Sequence, residues 1–116
     1  MARRCIFCQD VHLAVATELR AGTATLVEAT RRGLFYPLGT GDAPVADTVR
    51  ALVQGGYRGW YVIEQDTTLD EDALPDPGAG PAADTRESIA FLHTLDLDLD
   101  QRAARPPPAR EVSGRR

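Results

Sequence analysis

Glu64 stands near the end of Trp60-Tyr61-Val62-Ile63-Glu64-Gln65-Asp66, the most strand-like run in a chain of 116 residues. A carboxylate there can bind a hard cation, accept a proton from carbon, or pair with a neighbouring Arg. Strand alternation puts Trp60, Val62 and Glu64 on one side and Tyr61, Ile63 and Gln65 on the other. Cys5, Cys8 and His12 offer a second candidate, half a zinc site or a redox pair. An offset of three on a strand sends the two sulfurs to opposite faces, where they cannot share one metal. His93 stands alone, so no second Cys/His pair completes such a site. The cysteines therefore read as structural thiols, His12 as a surface residue at a helix start, and His93 as a helix-surface residue near a C-terminus. Gly39-x-Gly41-Asp42 has the outline of a phosphate-binding turn, but no strand feeds it and the chain contains no lysine.

The elements that would position these residues emerge from periodicity and punctuation. Residues 4–11 read as a short buried strand, and His12 to Ala21 as a helix with Leu13, Ala16 and Leu19 at helical spacing, stopped by Gly22. Thr25-Leu26-Val27-Glu28 is a capping box that opens a short helix ending at Gly33. A turn-rich connection comes next. Asp42 is placed to cap the next helix, with Pro44 in its first turn and Val45, Val49, Leu52 and Val53 as its apolar stripe. After the strand at residues 60–66, residues 70–83 read as a long loop. Asp84-Thr85-Arg86-Glu87 then caps a last helix that buries Ile89, Leu92 and Leu95. Strand, helices, strand, helix is an α/β order in which the two strands pair in parallel through a crossover. Two strands make a marginal sheet by themselves, and a parallel sheet is normally covered on both faces.

Composition narrows the function classes. Thirteen basic residues, all Arg, against 17 acidic ones leave a net charge of -4, which disfavours a nucleic-acid surface. No run approaches the roughly 20 apolar residues of a membrane span, and no apolar stretch succeeds the basic start as a secretory signal would require. A cytoplasmic protein without membrane contact is expected. Residues 96–116, with Arg105-Pro106-Pro107-Pro108 and little to bury, read as a disordered tail; an Arg/Pro ligand for a polyproline-reading domain is the weaker alternative.

From Asp10 to about Leu95 the chain resembles the C-terminal third of the myo-inosose-2 dehydratase family, within the xylose-isomerase-like sugar isomerases, epimerases and dehydratases. Leu19-Arg20-Ala21-Gly22, residues 28–35 (EATRRGLF), residues 37–42 (PLGTGD) and residues 56–67 (GYRGWYVIEQDT) carry the resemblance. It implies a partial TIM (β/α)8 barrel over residues 1–95, about the last two β/α units, with the site at the C-terminal ends of the strands. It also implies that Glu64 is a ligand of a divalent metal (Mn or Co) and takes part in catalysis. The family reaction is loss of water from a 2-keto-inositol, with the ketone polarised by the cation. The preceding family strand reads roughly His-x-His-x-Lys-Asp; aligned on Asp10, this chain has Cys5, Phe7 and Gln9 instead. The other ligands lie on strands outside this chain, so the expectation is a truncated dehydratase-like protein that holds no metal and has no activity alone. A barrel-completing subunit or interaction module, pairing with another chain or with itself through open strand edges, is the alternative.

Overall fold

Two short apolar runs far apart in sequence lie side by side in the computed structural model, which describes residues 4–95. Strand β1 (Cys5–Cys8) pairs in parallel with β4 (Trp60–Ile63), matching Cys5 with Trp60, Phe7 with Val62 and Cys8 with Ile63. The ladder continues at both ends, where Trp60 N–H donates to Arg4 O at 3.0 Å and Glu64 N–H to Cys8 O at 3.1 Å. Between the strands come β2 (Asp10–Val11), α1 (Leu13–Arg20), α2 (Leu26–Arg31), β3 (Phe35–Tyr36) and α3 (Val45–Gln54). After β4, α4 (Pro81–Thr94) closes the described part of a mixed α/β chain. The expected tail at residues 96–116 lies outside the described residues.

One face of the β1/β4 pair carries the core. Buried Cys8, Leu38, Val49, Leu92 and Leu95 cluster there, with Ile6, Tyr61, Ile63, Val45, Val53 and Phe91 packed against them. Val45, Val49 and Val53 of the stripe expected on α3 thus pack into the chain's own core, while Leu52 is half-buried. Phe7 and Trp60 lie on the opposite face, 63% and 54% exposed. Strand alternation accounts for the division.

Several expected boundaries shift. The strand at residues 4–11 breaks at Gln9, and Asp10–Val11 pairs antiparallel with Phe35–Tyr36, because the Asp10 side chain is drawn fully inward. The strand expected over residues 60–66 ends at Ile63. Asp42 does not cap α3, which starts after Pro44 with no side-chain cap; its Oδ2 accepts the Leu13 N–H at 2.8 Å and so caps α1. Helix α4 starts at Pro81, where a missing N–H costs nothing, after Gly80 at φ +56°, so Asp84 lies inside the first turn. Its inward face carries Ser88 and Leu92, while Ile89 is exposed. A serine suits that position because its Oγ accepts the Leu38 N–H at 3.0 Å. The capping box holds as read: Thr25 N–H donates to Glu28 Oε2 at 2.7 Å and Glu28 N–H to Thr25 Oγ1 at 3.2 Å.

Candidate functional site

At the C-terminal ends of β1 and β4, the chain presents Gln9, Glu64, Gln65 and Asp66. Glu64 comes directly after β4 and is exposed, and no Arg pairs with its carboxylate among the described residues. Two amides beside it are engaged. Gln9 Nε2 donates to Asp66 Oδ2 at 2.6 Å, joining the end of β1 to the chain after β4. Gln65 Nε2 donates to Thr67 Oγ1 at 3.1 Å and, at 3.4 Å, to Asp84 Oδ2 in the first turn of α4. The two aspartates are thus fixed by neutral amide donors, which orient a carboxylate without cancelling its charge.

Asp10 organises the loops beneath these strand ends. Its carboxylate is completely buried and takes four backbone N–H bonds. Val11 (2.9 Å) and Ala43 (3.0 Å) donate to Oδ1, and Gly39 (2.9 Å) and Gly41 (3.1 Å) to Oδ2. The turn at Gly39-Thr40-Gly41 is therefore an anion cradle, but the anion is the chain's own side chain. Both glycines are sterically required. A Cβ on Gly39, at φ +85°, would sit 2.3 Å from the Phe91 ring, and one on Gly41 would sit 2.4 Å from Asp10 Oδ1. In the sequence Asp10 has no distinguishing mark, since most of its partners lie about thirty residues away. The only signal is the glycine-rich turn, whose amides have to be satisfied somewhere.

The cysteines separate as strand alternation requires, Cys5 exposed and Cys8 buried, and burial pushes the Cys8 thiol up from its ordinary value. His12 is half-buried rather than on the surface. It is the N-cap residue of α1 and meets the Tyr36 ring edge-on at 5.5 Å. His93 is exposed in the last turn of α4.

A divalent cation needs several convergent carboxylate, imidazole or thiolate donors. Among the described residues, no three His, Cys, Asp or Glu side chains stand close enough together to hold one. Glu64 alone does not make a coordination set, and its neighbour at the end of β1 is an amide, Gln9. Among the described residues, no helix is long and apolar enough to cross a membrane.

Two curated proteins resemble part of the chain. The rhizopine catabolism protein MocC of Rhizobium meliloti is 32% identical over 59 residues, 51% of this chain and 18% of that protein. The inosose dehydratase of Geobacillus thermodenitrificans is 31% identical over 61 residues, 53% of this chain and 20% of the enzyme. The chain spans about a fifth of the length of these relatives. No family model and no solved structure matches it.

Proposed function

We propose that residues 4–95 are the closing part of a (β/α)8 barrel of the inosose dehydratase kind. In this reading β1 and β4 are adjacent barrel strands, and Glu64 is the residue they deliver to the reacting end. The relatives' names, one an inosose dehydratase and one a rhizopine catabolism protein, support an ancestral chemistry in inositol-related carbohydrate breakdown. The single observation that supports this best is the parallel β1/β4 pair. Its core face is covered by α3 and α4, while Phe7, Trp60 and Glu64 stand on the other side, as a barrel strand pair would present them to an interior.

The role left to this chain is to supply a carboxylate and a wall. A cation such as Mn or Co, if used, would draw its remaining ligands from strands this chain does not contain, and the chain alone is not competent for dehydration of a 2-keto-inositol. An open strand pair also favours a second reading, in which the chain completes a barrel contributed by another polypeptide.

The test is a graft. Residues 4–95 replace the matching part of the Geobacillus enzyme, carrying Cys5→His, Phe7→His and Gln9→Lys to restore the family pattern. Expected is a folded barrel that dehydrates 2-keto-myo-inositol and loses about a hundredfold or more with Glu64→Gln. A graft that fails to fold, or one indifferent to Glu64→Gln, overturns the reading.

A further inference from the structure

The outer face of the β1/β4 pair carries a pattern of sizes and charges that fits its own copy. By register, Cys5 and Trp60 form one row across the two strands, and Phe7 and Val62 form the next. Cys5, Phe7 and Trp60 are exposed and Val62 is half-buried. The two large side chains thus stand on a diagonal, each beside a smaller one on the neighbouring strand. Opposite charges flank β4, with Arg58 just before it and Glu64 directly after it. Both are exposed, and neither forms an ion pair among the described residues.

Two copies of such a face can stack about a twofold axis in two ways. With the strands of the copies parallel, Trp60 meets Cys5 and Phe7 meets Val62, but both Glu64 carboxylates gather at one end. With the strands antiparallel and β4 over β4, Trp60 of each copy meets Val62 of the other, and Phe7 meets Cys5. The same register sets position 58 of each copy opposite position 64 of the other. Large residues then face small ones, as interdigitating layers require, and each charge faces its opposite. Size alone allows either stacking, and charge selects the antiparallel one.

We infer that the face carrying Cys5, Phe7, Trp60 and Val62 is an isologous interface between two copies of this chain, stacked with antiparallel strands and with Arg58 of each paired to Glu64 of the other. So small a patch falls below the roughly 1,200 Å² of stable interfaces, and the dimer therefore dissociates on dilution. It covers the side that a barrel would turn to its interior. The dimer is read from mass and the barrel from the activity of a graft, so the two readings fail separately.

Sedimentation velocity of the full 116-residue chain over a range of concentrations at low salt tests this. Wild type dimerises reversibly, and high salt, which screens exposed pairs, raises its dissociation constant about tenfold or more. That readout needs no variant. Arg58→Glu alone and Glu64→Arg alone set like charges against each other at both ends, and each weakens the dimer about tenfold or more. An equimolar mixture of the two variants regains wild-type association, because every charge meets its opposite in the mixed dimer. Both positions are exposed, so the circular dichroism spectra stay those of wild type. A wild-type chain that is monomeric throughout overturns the inference. So does a mixture that associates no better than its components, or an association that high salt and both variants leave intact.

Discussion

Asp10 and Gly41 determine each other: the carboxylate accepts the Gly41 N–H at 3.1 Å, and no side chain fits on residue 41, because its Cβ would fall 2.4 Å from Asp10 Oδ1. The pair ties the start of β2 to the turn that leads into α3. Replacing Asp10 by Asn puts an amide nitrogen against two of the four N–H donors, so buried donors lose their acceptor. Breaking charge-assisted bonds of this kind costs about 3 kcal/mol or more in total. Asp10→Asn should therefore lower the midpoint of urea unfolding strongly, and Gly41→Ala should do likewise, while Asp76→Asn leaves it nearly unchanged. Retention of the wild-type midpoint by Asp10→Asn would show that the clasp contributes nothing.

Gly39 meets a different obstacle. Its φ of +85° disfavours any other residue, and a Cβ would press into the Phe91 ring, which packs against the core on α4. Gly39→Ala is expected to destabilise, and the double variant with Phe91→Leu should recover part of the loss, since it removes the clash and leaves the strain. A double-mutant cycle by thermal melting reads the coupling directly. Strict additivity of the two changes would count against the contact.

The capping box makes α2 sensitive to acid. The Thr25 backbone N–H, then the Thr25 hydroxyl, then Arg32 and Arg31 hold the Glu28 carboxyl below its ordinary value of 4.5. A depressed carboxyl stabilises the folded state above its unfolded pKa, and that contribution disappears as pH falls through the folded one. Wild type should thus lose the cap's stabilisation between neutral pH and pH values below 4.5, whereas Glu28→Gln starts lower and shows less of that fall. Parallel pH profiles of the two chains would sink the idea.

How far the fold is legible in the sequence depends on the range of each interaction. The apolar runs at β1 and β4 and the capping box at Thr25 and Glu28 are written in adjacent residues, and they are found where periodicity places them. The start of α4 is a contest between two local signals: the Asp84-to-Glu87 pattern reads as a cap, but Pro81 after Gly80 opens the helix a turn earlier. Asp42 illustrates the other difficulty. Its position before α3 looks like a cap, yet its carboxylate serves Leu13, 29 residues back. The Asp10 cradle and the Gln9–Asp66 link are also long-range, and a lone Asp or Gln carries no local mark of a distant partner. Glu64 can be assigned to a face by counting along the strand, but its surroundings depend on what packs there.

Thiol chemistry should track the alternation of β1. Cys5 is exposed, while Cys8 is 6% exposed with its thiol pushed up by burial. A thiolate is the reactive form, so both access and ionisation protect Cys8. Titration with a chromogenic disulfide reagent in mildly alkaline buffer should show one thiol reacting rapidly and the second only upon addition of denaturant. Cys5→Ser should abolish the fast phase and Cys8→Ser should leave it. Two equally fast thiols in native buffer would mean that the β1/β4 pair does not hold its core face closed.

The uncovered face of that pair sets the behaviour of the chain in solution. Phe7 and Trp60 are 63% and 54% exposed on adjacent strands, and Cys5 and Val62 share their face by register. An apolar patch on two strands with open edges favours association, either with the remainder of a barrel or with another copy. Sedimentation velocity should therefore show a concentration-dependent rise in mass for the isolated chain. Phe7→Lys should suppress that rise without altering the secondary structure seen by circular dichroism, because position 7 makes no contribution to the core beneath. Ile6→Lys, one residue earlier but on the core side, should instead unfold the chain. A monomer at all concentrations with both exposed aromatics in place would leave the open face without a role, and would weaken the case for a barrel strand pair at the same time.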